Sequence, residues 1–413
     1  VSATSDARPR WHIRPASGWL NDPNGLARVD GRYHVFFQHH PTSVTHQAIH
    51  WGHASSTDLV RWREEPIALT PRPGRPDAHG CWTGCLVDDA GTPTIAYSAV
   101  ADASGRADVV LARSDRTLRE WHVDGHATVP MPEVDGVTAV RDPFVFVHRG
   151  VRWGVQGAGA VGGEPRLLLW RCDDLTRWEP RGTLVDLSDP VLAEVAPAEI
   201  WECPNLVPVG DDWVLVVSLW RTVDGRHALS GVRWVVGDLV PDGGGLRFVG
   251  ARGGVLDEGP TFYAPQLLLD TASSRVLLWG WAWEHGRDEE QVARQGWAGV
   301  LTCPRELDVV DGAVVVRPAP ELDALRGPEL RPDADGRLTA SSFELQAAGP
   351  GGLAVTGAGG DVELARWGAG ARVLVDGSLV EVFEADGRTF TTRGYPVAGW
   401  RVRGDARVLE LAP

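Results

Sequence analysis

Apolar residues along this chain fall in short runs that cluster or alternate for a few positions and then stop at Gly, Pro, Asp or Asn. Tyr33 to Gln38, Val109 to Ala112, Phe144 to His148, Trp213 to Leu219 and Val276 to Trp281 are examples, each of strand length and each closed by turn residues. The three-and-four spacing of an amphipathic helix is hard to find. The pattern predicts an all-β protein of many short strands, with 49 glycines and 29 prolines to supply the turns.

The pattern also repeats. Asp58-Leu59-Val60-Arg61-Trp62 returns as Asp174-Leu175-Thr176-Arg177-Trp178, with Thr117-Leu118-Arg119-Glu120-Trp121 as a weaker copy, so that the tryptophans fall 59 and 57 residues apart. A second series, Asp22, Trp82, Asp142, Glu202 and Phe262, is spaced by 60 residues each time. A unit of this size built from short strands suits a four-stranded propeller blade with generous loops, and five of them occupy roughly 300 residues. Equivalent residues of successive blades surround one axis, so the five positions are predicted to converge on one funnel. Beyond Asp311 the repeat fades into strand-like pieces such as Arg372 to Val375 and Leu379 to Phe383. The expected organisation is a five-bladed β-propeller over residues 1–310, a linker over 311–328 and a small β-sandwich over 329–413.

Composition then removes several function classes. A formal charge of −15 without clustered basic residues offers nothing to a phosphate backbone, so nucleic acid is not an expected partner. No uninterrupted apolar stretch of about 18 residues marks a membrane span. Lysine is absent, which excludes amine-based Schiff-base chemistry. The five cysteines read as isolated free thiols, and Cys81 with Cys85 lacks the second pair a zinc site requires. His39, His40, His50 and His53 could suggest metal ligands, but no metal is expected. The opening residues show neither the charged nor the apolar region of a signal peptide, and no glycosylation sequon occurs; a cytoplasmic location is the expectation.

Three of the five repeat positions are carboxylates, which repel one another and cost desolvation when gathered in one pocket. Each sits among Trp, Pro, Asn or Arg: Trp19-Leu20-Asn21-Asp22-Pro23-Asn24-Gly25, Arg141-Asp142-Pro143, and Trp201-Glu202-Cys203-Pro204-Asn205. The three asparagines of the chain all lie in these motifs. Glycosidic cleavage needs one carboxylic acid to protonate the leaving oxygen and one carboxylate at the anomeric carbon. A third carboxylate can meet the positive charge that develops on the ring.

These segments resemble the signature motifs of glycoside hydrolase family 32, the invertase, levanase and inulinase family. The resemblance extends through Phe36-Phe37-Gln38, Trp51-Gly52-His53-Ala54, Cys81-Trp82-Thr83-Gly84-Cys85, Asp257-Glu258-Gly259-Pro260 with Phe262-Tyr263-Ala264, and Gly299 to Leu307, covering roughly residues 11 to 307. A fainter match, Val375 to Phe383, resembles the family's C-terminal sandwich. The resemblance implies a five-bladed propeller with a sandwich and a retaining double displacement without metal or organic cofactor. It makes Asp22 the nucleophile, Glu202 the general acid that later activates water, and Asp142 the stabiliser of the oxocarbenium-like transition state. It further implies that Asn21, Gln38, Trp82, Thr83, Arg141, Cys203, Tyr263 and Trp281 line a fructose subsite, with core packing an equal alternative for Cys203 and Trp281. Trp62, Trp121 and Trp178 read as packing between blades.

The chain departs from the family pattern where His46-Gln47-Ala48 replaces a Trp-Gly-Asn stretch. His46 in place of that tryptophan changes the wall beside the scissile bond, so a preference for sucrose does not follow from the resemblance. Thr261 stands where an aspartate is common, and the C-terminal domain is short. The expected activity is release of terminal non-reducing β-D-fructofuranosyl units from sucrose, fructo-oligosaccharides or related fructosides, with a small fructoside or fructan as partner. A fructosyltransferase using the same intermediate and a non-catalytic sugar-binding propeller are the alternatives.

Overall fold

A computed structural model describes residues 7–357 and 360–412. Its first twenty-two strands build five antiparallel sheets in chain order. The innermost strands are Gly18–Val29, Gly80–Asp89, Ala139–His148, Ile200–Val209 and Phe262–Asp270. Each packs against the next and the fifth against the first, which closes a five-bladed propeller around one axis. Trp297–Ala298, from the fifth blade, pairs in parallel with Gly18 and Trp19 and ties the ring shut.

The repeated Asp-Leu-x-Arg-Trp segment is the turn that leads into the outer strand of a blade. Leu59, Leu118 and Leu175 are fully buried, and the Asp58 carboxylate accepts from the backbone N–H of Val60 and Arg61. Trp121 and Trp178 donate their indole N–H to Leu118 and Leu175. Trp62 meets Trp279 edge-on at 5.9 Å across a blade contact. These tryptophans stand away from the central cavity.

Every inner strand breaks register near its funnel end, between Leu20 and Pro23, Cys81 and Gly84, Arg141 and Phe144, Glu202 and Asn205, and Tyr263 and Gln266. Such bulges turn the strand and re-aim a side chain. Asp142, Cys203 and Ala264, each followed by proline, occupy the left-handed region at φ 59, 47 and 46°. A non-glycine residue held there stores strain and depends on its surroundings to keep it. The bulges also correct the 60-residue series: Asp22, Asp142, Cys203 and Ala264 share the place before proline, with Thr83 before Gly84. Glu202 therefore corresponds to Arg141 and Tyr263. Phe262 does not reach the funnel; it is buried beneath the ring, with the Arg305 guanidinium 5.0 Å from its centroid.

The fifth blade runs on through Arg305–Val310 and Ala313–Pro318, so its last strand lies inside the segment 311–328 expected as a linker. Asp311 and Gly312, at φ 52 and 70°, form a hairpin turn instead of a domain break. A short 3-10 helix, Pro320–Leu325, leads to Arg326–Leu330, the first sandwich strand. A six-stranded and a four-stranded sheet then pack face to face around Phe343, Val373, Val380 and Trp400.

The seam between the two domains is charged and dry. Arg305, 1 % exposed, bonds Asp257 at 2.8 Å and Glu381 at 2.7 Å, and His12 bridges Glu381 and Asp376 at 2.8 Å each. Alternation along Leu379–Phe383 would send Glu381 to water, but this face of the sheet docks on the propeller. Thr261 also belongs to the seam, donating its hydroxyl to the Thr391 carbonyl. The Asp257-Glu258-Gly259-Pro260 motif is an interface element: a Cβ on Gly259 would sit 2.0 Å from the Thr391 carbonyl oxygen.

Candidate active site

At the funnel end of the axis lies a cavity of about 440 Å³ lined by Asn21, Asp22, Gln38, His46, Trp82, Arg141, Asp142, Glu202, Tyr263 and Trp281, together with Trp19, Trp220, His227 and Leu229. The three carboxylates come from the bulged inner strands of blades one, three and four. Thr83 and Cys203 stand just behind the wall and touch Asp22 from beneath.

Asp22 is held from several sides. Its Oδ2 accepts from the Thr83 hydroxyl at 2.5 Å, the Gln38 amide at 3.0 Å and the Cys203 thiol at 3.5 Å, while Oδ1 accepts from the Asn21 amide at 3.0 Å. Trp19 fixes Asn21 in turn by donating to its Oδ1 at 2.7 Å. Gln38 Nε2 serves both Asp22 and Thr83, so its carbonyl oxygen must point the other way, to His46 Nε2 at 3.0 Å. That contact requires His46 to carry its proton on Nε2. Burial lowers the His46 pKa to about 4, which keeps the ring neutral at pH 7. Its imidazole stands edge-on to Trp82 and Trp19, at 5.6 and 6.3 Å.

Asp142 receives the backbone N–H of Cys203 on Oδ2 at 2.9 Å, and its own N–H is anchored on the Ser98 hydroxyl at 2.8 Å. Glu202 accepts from Arg141 at 3.1 Å and from the Tyr263 hydroxyl at 2.8 Å. The strands thus hold each carboxylate through partners on neighbouring blades.

Three acids and one guanidinium share this space. Burial raises Asp22 to about 6 against the opposing Thr83 hydrogen bond, and the Glu202 charge adds to the rise. Burial also raises Asp142 to about 7, with Glu202 pushing the same way and Arg141 opposing. The cluster therefore holds a proton near neutrality and exchanges it within the physiological range. Burial pushes the Cys203 thiol well above its ordinary value, which removes a thiolate nucleophile from consideration. Tyr263 is pushed up by burial and by Glu202 and remains a phenol donor.

Residues 12–318 match the Glycosyl hydrolases family 32 N-terminal domain. The chain belongs to glycosyl hydrolase family 32. Among family 32 relatives, it is 34% identical over 334 residues to the sucrose-6-phosphate hydrolase of Escherichia coli, an alignment covering 77% of this chain and 66% of that protein. It is 34% identical over 335 residues to the raffinose invertase of Escherichia coli, again covering 77% and 66%. The match thus spans just under two thirds of these relatives' length. The family 32 fold itself is shared with fructan 1-exohydrolase IIa from Cichorium intybus, at a TM-score of 0.80 and 22% identity over 100% of this chain and 98% of that one.

Four lining residues are not among the expected site residues. Trp19 sits inside the first motif as the anchor of Asn21. Trp220, His227 and Leu229 come from a hairpin that blade four raises over the cavity mouth, formed by the long strands Asp212–Val223 and Arg226–Asp242. Asp224 and Gly225, at φ 51 and 72°, form its tight turn. The Asp-Gly pair between two strand-like runs was the available signal.

Proposed function

We propose that this family 32 chain is a retaining β-fructofuranosidase that removes terminal non-reducing fructosyl units from small fructosides. Three carboxylates and a guanidinium around one sugar-sized, aromatic-walled cavity carry the reading. Asp22 attacks the anomeric carbon of the fructosyl ring, forming an ester bond as the bond to the leaving oxygen breaks. Glu202 gives its proton to that oxygen, and the leaving sugar departs as a neutral alcohol. Glu202 then takes a proton from water, the hydroxide oxygen bonds the anomeric carbon, and Asp22 leaves as a carboxylate.

Several contacts support these roles. Asp22 Oδ1 has one side-chain donor against three on Oδ2, which makes it the freer oxygen for attack. Arg141 and Tyr263 orient Glu202 toward the cavity. Asp142 supplies negative charge from a buried, preorganised position when the ring becomes cationic. Asn21 and Gln38 present amides, and Trp82 and Trp281 aromatic walls, to a furanose.

The test is product analysis with purified protein and sucrose, raffinose, 1-kestose, inulin and levan. Release of free fructose from at least one of them is expected. Folded protein that frees no fructose from any would refute the proposal.

A further inference from the structure

Relatives of this chain include both a sucrose-6-phosphate hydrolase and a raffinose invertase, so the charge of the natural leaving group is open. The cavity bears on it directly. Its lining carries three carboxylates and a single guanidinium, Arg141, which is committed to Glu202 at 3.1 Å. A phosphorylated sugar would bring about two further negative charges into this space.

On the blade-four side the mouth offers no compensation. Trp220 pairs with Leu229 across the blade-four hairpin, and Thr222 with His227, so these side chains share the cavity face. Arg221 and Arg226 occupy the alternate positions, and a strand sends alternate side chains to opposite faces. The hairpin thus turns its guanidiniums away from the cavity and its apolar and aromatic groups toward it. Trp220 and His227 stack at 4.7 Å with 28° between their planes, a flat surface suited to the C–H face of a sugar ring. Burial lowers the pKa of His227, so the imidazole adds no fixed cation at neutral pH.

We propose that the Trp220–His227 face receives the leaving group, and that this leaving group is an uncharged sugar: the enzyme discriminates against substrates phosphorylated on it. This inference rests on the hydrolase reading and names its substrate class. Like charges brought together at a close interface repel strongly, so the preference should be large.

The test compares kcat/KM for sucrose, raffinose and sucrose 6-phosphate on the same preparation. The best neutral substrate should exceed sucrose 6-phosphate by about a hundredfold at low salt. Cleavage of the phosphate ester-bearing substrate at a comparable or higher rate overturns the proposal and leaves the hydrolase reading standing. Failure on all three and on every other fructoside overturns both. Leu229→Arg, which adds a cation on the cavity face, should narrow the ratio about tenfold. An unchanged ratio in a folded Leu229→Arg protein overturns the assignment of this face to the leaving group.

Discussion

Replacing Arg305 with methionine removes the only guanidinium between two fully buried carboxylates while keeping most of the side-chain volume. In the native protein Arg305 reaches Asp257 and Glu381 at 2.8 and 2.7 Å, all three essentially without solvent contact. Against burial, which alone would raise it, the Arg305 charge and the His12 hydrogen bond hold Glu381 down to about 2 from a reference of 4.5. A shift of that size corresponds to about 3 kcal/mol. Because the folded pKa is depressed, this contribution is present above pH 4.5 and is lost as pH falls toward 2. Removing one partner of a buried pair generally costs about 3–5 kcal/mol, since the remaining charge stays uncompensated. Arg305→Met should therefore lower stability at pH 7 by about that amount. Urea unfolding followed by tryptophan fluorescence and by circular dichroism measures it, with coincidence of the two transitions showing whether the domains unfold together. The double variant Arg305→Met/Glu381→Met should recover part of the loss, because one orphaned carboxylate goes with its partner. An Arg305→Met protein as stable as wild type would refute the view that the seam is an ion network in balance.

Asp22→Asn should abolish fructose release yet raise stability at pH 8 by about 3 kcal/mol, because Asp22 is raised to about 6 and its ionised form opposes folding above that pH. The gain should vanish toward pH 4, as shown by thermal melts across pH. The acid limb of kcat/KM should fall between pH 7 and pH 6, as Asp142 and then Asp22 take up protons; a limb near pH 4 would contradict the burial argument. His46→Ala frees the Gln38 amide to turn away from Asp22 and should lower kcat about tenfold in steady-state kinetics while leaving the far-ultraviolet circular dichroism unchanged.

Much of this molecule is legible in its sequence because the propeller repeats a simple unit. Short apolar runs closed by Gly and Asp report strands and hairpins, and the recurring Trp62, Trp121 and Trp178 report blade spacing. The motifs around Asp22, Asp142 and Glu202 are conspicuous because each places a carboxylate one or two residues ahead of a proline and next to Asn21, Arg141 or Trp201. What the sequence hides is register. A spacing of 60 aligns Asp22 with Glu202 and Phe262, whereas the bulges align it with Cys203 and Ala264, because one extra residue in a strand exchanges its faces. The same blindness affects Glu381, whose alternation reads as solvent-facing until a second domain covers that face. Asp257 to Pro260 likewise reads only as a family motif, and packing alone shows that it serves the seam between the domains. Trp220 and His227 are obscured for a different reason: they reach the cavity through the length of a hairpin, and no local pattern states which way it leans.

The central claim is that Asp22 and Glu202 act on one furanose ring from a common cavity. Glu202→Gln, supplied with β-fructosyl fluoride, whose leaving group needs no acid, should form the ester but hydrolyse it slowly. Mass spectrometry of the digested protein after rapid quenching should then find one fructosyl group on the peptide containing Asp22. Turnover of the fluoride with the adduct on another residue, or with fructose released at inverted configuration and no adduct at all, would contradict the account.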